Sequence, residues 1–296
     1  MTLETVYGEL LEMLHSIYDP RESAQIADMV VEHITGLKKS ERIINRNLPI
    51  SDEQVRQFTG FRHRLQTHEP IQYVLGAAWF MGLPLLVSEA VLIPRPETEE
   101  LAEWILVEIR DIVTADPHQA SLWVDKKQSL LDIGTGSGCI AVALKRHLPH
   151  LDVYAMDISM HALAVARKNA EKFEAPIKFI QSDILDEGTW GNCKMFDIIV
   201  SNPPYIQRKE AGEMRRNVLD HEPHLALFVE DDDPLLFYRK IAKFSERHLS
   251  SHGFLFFEIN ELSGQEMIQL LERHGFGKIQ IKKDFSGKER MIKAQR

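Results

Sequence analysis

Cysteine is scarce in this chain: Cys139 and Cys193 are the only two among 296 residues. Two cysteines without metal-ligand spacing exclude a disulfide framework and a cysteine-built zinc site, and a reducing, cytoplasmic setting is the simplest to expect. Long apolar runs are also missing. None reaches the ~18 residues that a membrane-spanning helix needs, so no membrane partner is expected. The opening stretch MTLETVYGELLEMLHS has no basic start followed by an apolar segment, and is expected to be an amphipathic helix rather than a signal peptide. No long block of lysine and arginine occurs, and the net charge is −9. Proteins that hold nucleic acid without regard to sequence rely on neutralising phosphates, so direct nucleic-acid binding is not expected, although these totals leave room for a local basic groove. Internal repeats and low-complexity tracts are absent.

What is present is ordinary for a globular protein, with 44% hydrophobic and 27% charged residues. The length favours two domains. Over residues 1–70 apolar side chains recur at helical spacing: Val6, Leu10, Leu11 and Leu14, then Ile26, Met29, Val30 and Ile34. Ser51-Asp-Glu-Gln has the form of a capped helix start ahead of Val55, Phe58 and Leu65. A small helical bundle is expected there. IQYVLGAAWFMGLPLLV, from Ile71 to Val87, is β-branched and aromatic with Gly82 near a turn, so a β-hairpin linker is expected over 71–92. A second domain is expected over 93–296. It opens with IPRPETEEL, where Pro96 starts a helix and acidic residues crowd its first turn. That helix is expected to reach about Val113, with a polar loop over 114–128.

From Leu130 onward, strands and helices alternate. Strands are expected at 129–133, 152–157, 177–182, 196–201 and 253–259, and helices at 138–147, 159–173, 234–249 and 263–274. Alternation of this kind implies a parallel sheet covered on both faces. The closing stretch KIQIKKDFSGKERMIKAQ leaves no room for a crossover helix, so an antiparallel hairpin around Ser286-Gly287 is expected to complete the α/β sheet.

LLDIGTGSGCIAVAL, residues 130–144, is a strand, a glycine-rich turn and a helix. Glycines permit close approach of a ligand, and the helix start offers free N–H groups. A dinucleotide fingerprint spaces its glycines G-x-G-x-x-G. Gly134, Gly136 and Gly138 give G-x-G-x-G, and no Lys-Ser/Thr pair follows, so this is not a phosphate-gripping loop. The shorter turn, with Thr135 and Ser137 between the glycines, suits a ligand without a pyrophosphate. The next strand ends in Asp157, placed to accept from both hydroxyls of a ribose. The third ends QSDIL, where Asp183 and Ile184 are placed to flank an adenine. A plain tight turn is the alternative for the glycines, and the two acids weigh against it.

SNPPYI, residues 201–206, follows the core strand Phe196-Asp197-Ile198-Ile199-Val200. Neither Pro203 nor Pro204 has a backbone N–H, and each fixes its own φ, so the turn is stiff. Asn202 offers a side-chain oxygen and Pro203 a backbone carbonyl, two acceptors suited to the N–H bonds of a planar amide or amine. Stiffness keeps such acceptors preorganised, which favours electrostatic catalysis. Tyr205 can pack against a flat amide. The bland alternative is that Asn202 caps a turn and Tyr205 fills a core.

DIGTGSG together with Asp157 resembles the class I methyltransferases that use S-adenosylmethionine, and NPPY narrows the likeness to enzymes that methylate planar nitrogens. EPIQYVLG (69–76), PRPETEE (94–100), HEPHLAL (221–227) and DFSGKER (284–290) resemble the bacterial peptide-chain release factor glutamine methyltransferases over nearly the whole chain. That resemblance implies a helical substrate-binding domain followed by a hairpin and a Rossmann-like catalytic domain. It implies S-adenosylmethionine held by Gly134, Thr135, Gly136, Ser137, Gly138, Asp157, Asp183, Ile184 and Asn202. It implies a glutamine of class 1 release factors, in a Gly-Gly-Gln motif, held by Asn202, Pro203, Pro204 and Tyr205, with Asn202, Pro203 and Tyr205 catalytic. No metal and no covalent intermediate are needed, and a monomer is expected. Two departures stand out: Ile184 where the family often has an aromatic residue, and EDDDPLL (230–236) where a glycine-rich stretch is common.

Several features stay open at this level. Arg95 and Glu97 either close over the ligands or cap a helix. Glu222-Pro223 is expected to shape the wall beside SNPPY, and His221, Glu222 and His224 do not have a zinc helix pattern. The acidic run from Glu230 to Asp233 reads as solvated. A thiol at a helix start can have a lowered pKa, but Cys139 is expected to be a small packing residue. Rival functions are the same chemistry on a ribosomal protein, adenine amino-methylation of DNA or RNA, and a binding module that keeps the cofactor pocket without catalysis. The net charge disfavours the nucleic-acid rival, and an intact Asn-Pro-Pro-Tyr disfavours the last.

Overall fold

The computed structural model describes residues 1–115 and 128–296, so nearly all of the polar loop expected over 114–128 lies outside the described residues. The described chain forms two compact units. One is Met1–Ala77 with Met214–His221, the other Ala78–Glu213 with Glu222–Arg296. Among the described residues no helix is long and apolar enough to cross a membrane.

The first unit holds α1 (Leu3–Leu14), α2 (Pro20–Thr35), α3 (Lys39–Ile44), α4 (Asp52–Gln66) and α5 (Ile71–Leu75). Asp19 caps α2 by accepting the backbone N–H groups of Arg21 and Glu22 at 2.8 and 3.0 Å, and Pro20 takes the position where a missing N–H does no harm. Ser51 and Gln54 form the reciprocal cap that starts α4. Leu3, Val6, Leu10 and Leu14 of α1 then share one core with Ile26, Val30 and Ile34 of α2 and Phe58 and Leu65 of α4. Residues 214–221 belong to this unit through an Arg215–Glu22 ion pair at 3.2 Å and a bond of 2.8 Å from His221 Nε2 to the Thr67 carbonyl.

The hairpin expected from Ile71 begins later, because Ile71–Leu75 is helical. Ile71 and Val74, one turn apart, bury in the helical core. Arg64 donates to the Tyr73 and Val74 carbonyls at 2.9 and 3.0 Å, and Gly76 closes the turn at φ 68°. Burial and capping here outweigh the β-branched composition.

The hairpin itself pairs β1 (Ala77–Phe80) with β2 (Leu83–Leu86). Met81 and Gly82 join them with φ values of 47° and 76°, the paired positive angles of a tight two-residue turn. After α6 (Pro96–Ala115) come β3 (Ser129–Ile133), α7 (Cys139–His147), β4 (Asp152–Asp157), α8 (Met160–Lys172), β5 (Ile177–Gln181) and β6 (Phe196–Ser201). Two short strands follow, β7 (Ile206–Gln207) and β8 (Phe228–Val229). The chain ends with α9 (Leu236–His248), β9 (Leu249–Glu258), α10 (Gly264–Arg273), β10 (Gly277–Lys283) and β11 (Glu289–Gln295).

The seven-stranded sheet has the order β10-β11-β9-β6-β3-β4-β5. Strands β9, β6, β3, β4 and β5 run parallel, and β11 is antiparallel to both of its neighbours. The expected α/β architecture is therefore present, terminal hairpin included. β9 starts earlier than its apolar run suggests, because Leu249 pairs with Phe196 ahead of a register break. Alternate residues feed two cores. Leu130, Ile198 and Phe256 join Leu101, Ile105, Ile140 and Leu144 on one face. Leu131, Ile199 and Phe257 join Tyr238, Ile241, Phe244 and Leu271 on the other. The chain runs from β3 out to β5, then returns to lay β6 along the other edge of β3. Ligands bind at such a reversal, beyond the carboxyl ends of the strands.

Candidate active site

The glycine turn leaves β3 at this reversal. Gly134, Gly136 and Gly138 have φ values of 73°, 54° and 79°, where a side chain is strained. Their uses differ. A Cβ on Gly138 would come 3.1 Å from the Ala166 Cβ, so this glycine lets α7 pack closely on α8, while a Cβ on Gly134 or Gly136 would meet, beyond its chain neighbours, no atom of the described residues within 4 Å. The turn is fastened from below. Gly134 and Thr135 donate backbone N–H groups to the Met156 carbonyl at 2.8 and 3.0 Å, and the Thr135 hydroxyl donates to Asp132 Oδ2 at 2.6 Å. The fully buried Asn169 donates to the carbonyls of Ser137 and Leu86, each at 2.9 Å, and accepts the Leu86 N–H at 2.7 Å. It thereby ties the turn and β2 to α8.

Asp157, at the end of β4, accepts Gly136 N–H on one oxygen and Ser159 N–H on the other, both at 2.9 Å. A carboxylate oxygen has a second lone pair, so both oxygens keep capacity for hydroxyl donors. Burial raises its pKa, opposed by the backbone N–H groups of Ser159, Gly136 and Ile158. Asp183 accepts the Leu185 N–H at 2.8 Å, which sets the bend that brings Ile184 inward.

After β6, Ser201 donates to the Ile133 carbonyl at 2.7 Å and joins the two strand ends. Asn202 Nδ2 donates to Thr98 Oγ1 at 3.1 Å, and Thr98 Oγ1 donates to Glu258 Oε2 at 2.6 Å. The other Glu258 oxygen accepts the Tyr205 hydroxyl at 3.0 Å. Burial raises the pKa of Glu258, and burial with the adjacent carboxylate holds that of Tyr205 well above the usual phenol range. Glu222 is nearly fully buried. It accepts from Arg95 Nη2 at 2.6 Å and from the Ile93 N–H at 3.1 Å, so the Pro-Arg-Pro segment before α6 is clamped to the His-Glu-Pro-His segment.

These pieces enclose a cavity of about 330 Å³, a size that suits a small organic ligand. Gly134, Thr135, Gly136, Ser137, Asp157, Asp183, Ile184, Asn202, Pro203 and Pro204 all line it, as do Arg95, Thr98 and Pro223. Gly138 and Tyr205 fall outside that lining; the first packs on Ala166 and the second reaches Glu258. Cys139 lies at the start of α7, yet burial pushes its thiol up to about 12 rather than down, in keeping with a packing residue. Sequence reasoning missed Thr98, Glu258, Asn169 and Asp132. Glu258 left one signal, a lone acid directly after the apolar run GFLFF.

Asp132 is buried at the base of the glycine turn, where its Oδ2 accepts the Thr135 hydroxyl. Burial, with the Asp157 carboxylate adding to it, pushes its pKa from 3.8 up to about 7. The folded state therefore binds this proton more tightly than the unfolded chain does. Stability from this group is highest below the unfolded value and is lost as pH rises toward about 7, beyond which the cost is constant. Ligand-free Asp132→Asn should gain melting temperature over the parent protein, by a margin that widens from pH 4 to pH 8 on the order of the shift itself. Calorimetry across that range checks this; a margin that does not change with pH would contradict it.

A sheet of this order, with a glycine turn after one central strand, an acid ending the next and Asn-Pro-Pro-Tyr after the strand beside them, defines a Rossmann-like class I methyltransferase. Two family models match the chain: the Methyltransferase small domain over residues 119–223 and the PrmC N-terminal domain over 11–76. Among curated relatives, Release factor glutamine methyltransferase of Flavobacterium psychrophilum is 45% identical, covering 99% of both chains. The protein of that name from Bacteroides thetaiotaomicron is 41% identical, covering 99% of this chain and 100% of the relative. The solved structure of the T. thermophilus 16S rRNA N2 G1207 methyltransferase with AdoMet and guanosine matches with a TM-score of 0.51 at 19% identity, over 74% of this chain and 49% of that one, a likeness of fold. The chain belongs to the release factor glutamine methyltransferase family.

Proposed function

We propose that this protein transfers a methyl group from S-adenosylmethionine to the side-chain amide nitrogen of the glutamine in the Gly-Gly-Gln motif of class 1 peptide-chain release factors. The observation that carries this reading is Asn202, whose amide nitrogen is tied to Thr98 at the wall of a cavity reached by the glycine turn and Asp157. The names of relatives matched over nearly their whole length, which state a release factor glutamine, support the protein substrate.

The residues present fit S-adenosylmethionine. Gly134 and Gly136 have open space where a Cβ would stand, and Asp157 keeps acceptor capacity for ribose hydroxyls. Asp183 and Ile184 would flank the adenine, with an aliphatic contact in place of ring stacking. When bound, that molecule supplies an electrophilic methyl group on a sulfonium. The chain's own task is the nucleophile. A glutamine amide nitrogen is a poor one because its lone pair is shared with the carbonyl. Asn202 Oδ1 and the Pro203 carbonyl would accept its two N–H bonds, orient it, and stabilise the positive charge it gathers until one of those two protons is lost to water, leaving the neutral N-methyl amide. Pro203 and Pro204 keep that pair of acceptors in place, and Tyr205 anchors the turn through Glu258.

The helical unit is taken to bind the release factor. The same reading makes the enzyme a cytoplasmic monomer with a protein substrate and no direct contact with nucleic acid or membrane. The test is methyl transfer from labelled S-adenosylmethionine to a purified class 1 release factor, a ribosomal protein and DNA side by side. Label on the release factor supports the reading. Label on DNA would keep the planar-nitrogen chemistry and overturn the substrate.

A further inference from the structure

An asparagine amide can turn either way, and the proposed reaction needs its oxygen toward the substrate. We propose that Glu258 sets the orientation of Asn202 through Thr98, which makes both of them positioning residues for methyl transfer; this rests on Asn202 acting as an acceptor for the target amide.

A carboxylate has no hydrogen to give. With Thr98 Oγ1 2.6 Å from Glu258 Oε2, the hydroxyl hydrogen is committed to the acid. The Thr98 oxygen is then an acceptor for its second neighbour, Asn202, at 3.1 Å. Only the NH2 end of Asn202 can fill that place, so Oδ1 is turned away from the relay. The other oxygen of Glu258 takes the Tyr205 hydroxyl at 3.0 Å. One anion, 1% exposed, thus holds both ends of the Asn-Pro-Pro-Tyr turn, and Thr98, 3% exposed, is as well shielded from competing water. A neutral amide at position 258 could give or accept, and the direction of the relay would no longer be set.

Thr98→Val keeps the side-chain shape and removes the hydroxyl. Its kcat and its S-adenosylmethionine affinity are measured beside those of Asn202→Ala and Thr98→Ser. We expect Thr98→Val to lose kcat on the order of 10²-fold with cofactor affinity retained, the scale of a small misplacement of a reacting group. Thr98→Ser, which keeps the hydroxyl, restores most of it. A wild-type kcat in Thr98→Val beside a crippled Asn202→Ala would overturn the relay and leave the reading of Asn202 standing. Full activity in both would overturn that reading.

Should Thr98→Val fail to fold, Glu258→Gln carries the test through pH. Glu97 and Thr98 of α6, Cys139 of α7, Tyr205, Arg290 of β11 and Tyr238 of α9, whose hydroxyl donates to the Glu258 backbone carbonyl, surround Glu258. Burial raises the pKa of Glu258. The relay is therefore intact above that pKa, and kcat falls as acid protonates the carboxylate and lets the hydroxyl reverse. In Glu258→Gln this acid limb is gone. An acid limb unchanged by the substitution overturns the proposal.

Discussion

Asn202→Ala is expected to lower turnover by about 10²–10³-fold, the range seen when one preorganised polar group is taken from a transition state. The affinity for S-adenosylmethionine should change far less. The reason for the split is geometric. Asn202 touches the cavity at the end of β6, while the turn and the acids that would grip the cofactor belong to β3, β4 and the segment after β5. Its amide nitrogen is occupied by Thr98 at 3.1 Å, so the group left to act is the oxygen. Charge gathers on the glutamine nitrogen as the methyl moves, and an acceptor aimed there gains strength at that moment rather than on binding. Single-turnover kinetics with titration calorimetry on the same preparation separate the two effects. Near-normal turnover in the variant would remove Asn202 from the mechanism.

Asp157→Ala is expected to give the opposite split. The two Asp157 oxygens each hold one backbone N–H at 2.9 Å and have capacity for one hydroxyl apiece. Hydrogen bonds to a charged acceptor are worth roughly 1.5–3 kcal/mol each. Losing two of them raises the dissociation constant for S-adenosylmethionine about 100-fold or more. The Gly136 and Ser159 N–H groups also lose their partner, which loosens the turn and adds to the loss. Turnover at saturating cofactor should suffer much less, because no contact of Asp157 reaches the Asn-Pro-Pro-Tyr turn in the bonds it makes. Calorimetric binding of the cofactor checks this, with a thermal melt to confirm folding. An unchanged dissociation constant would mean that the ribose is held elsewhere.

The sheet was legible because its central strands are buried on both sides. All of β3 and β6 is buried, and strands of that kind read as short unbroken apolar runs between turn residues. The glycine turn and Asn-Pro-Pro-Tyr were legible for a related reason: the restrictions that glycine and proline place on the backbone are local. α5 was misread because five residues carry too little periodicity, and its capping by Arg64 depends on tertiary contact. The relay behind Asn202 was out of reach. Thr98 and Glu258 are 160 residues apart, and a single threonine in an acidic helix start gives no hint of a distant partner. Asn169 was hidden likewise; it looks like an unremarkable helical residue until β2 is brought to it, 83 residues away.

The measurement that bears most directly on the central claim is tandem mass spectrometry of the release factor peptide that contains Gly-Gly-Gln, after incubation with enzyme and S-adenosylmethionine. The expected result is one methyl group on the side-chain nitrogen of that glutamine, with the Asn202→Ala enzyme giving little or none in the same time. A methyl group on another residue of the release factor, or an unmodified peptide despite measured cofactor binding, would contradict the account.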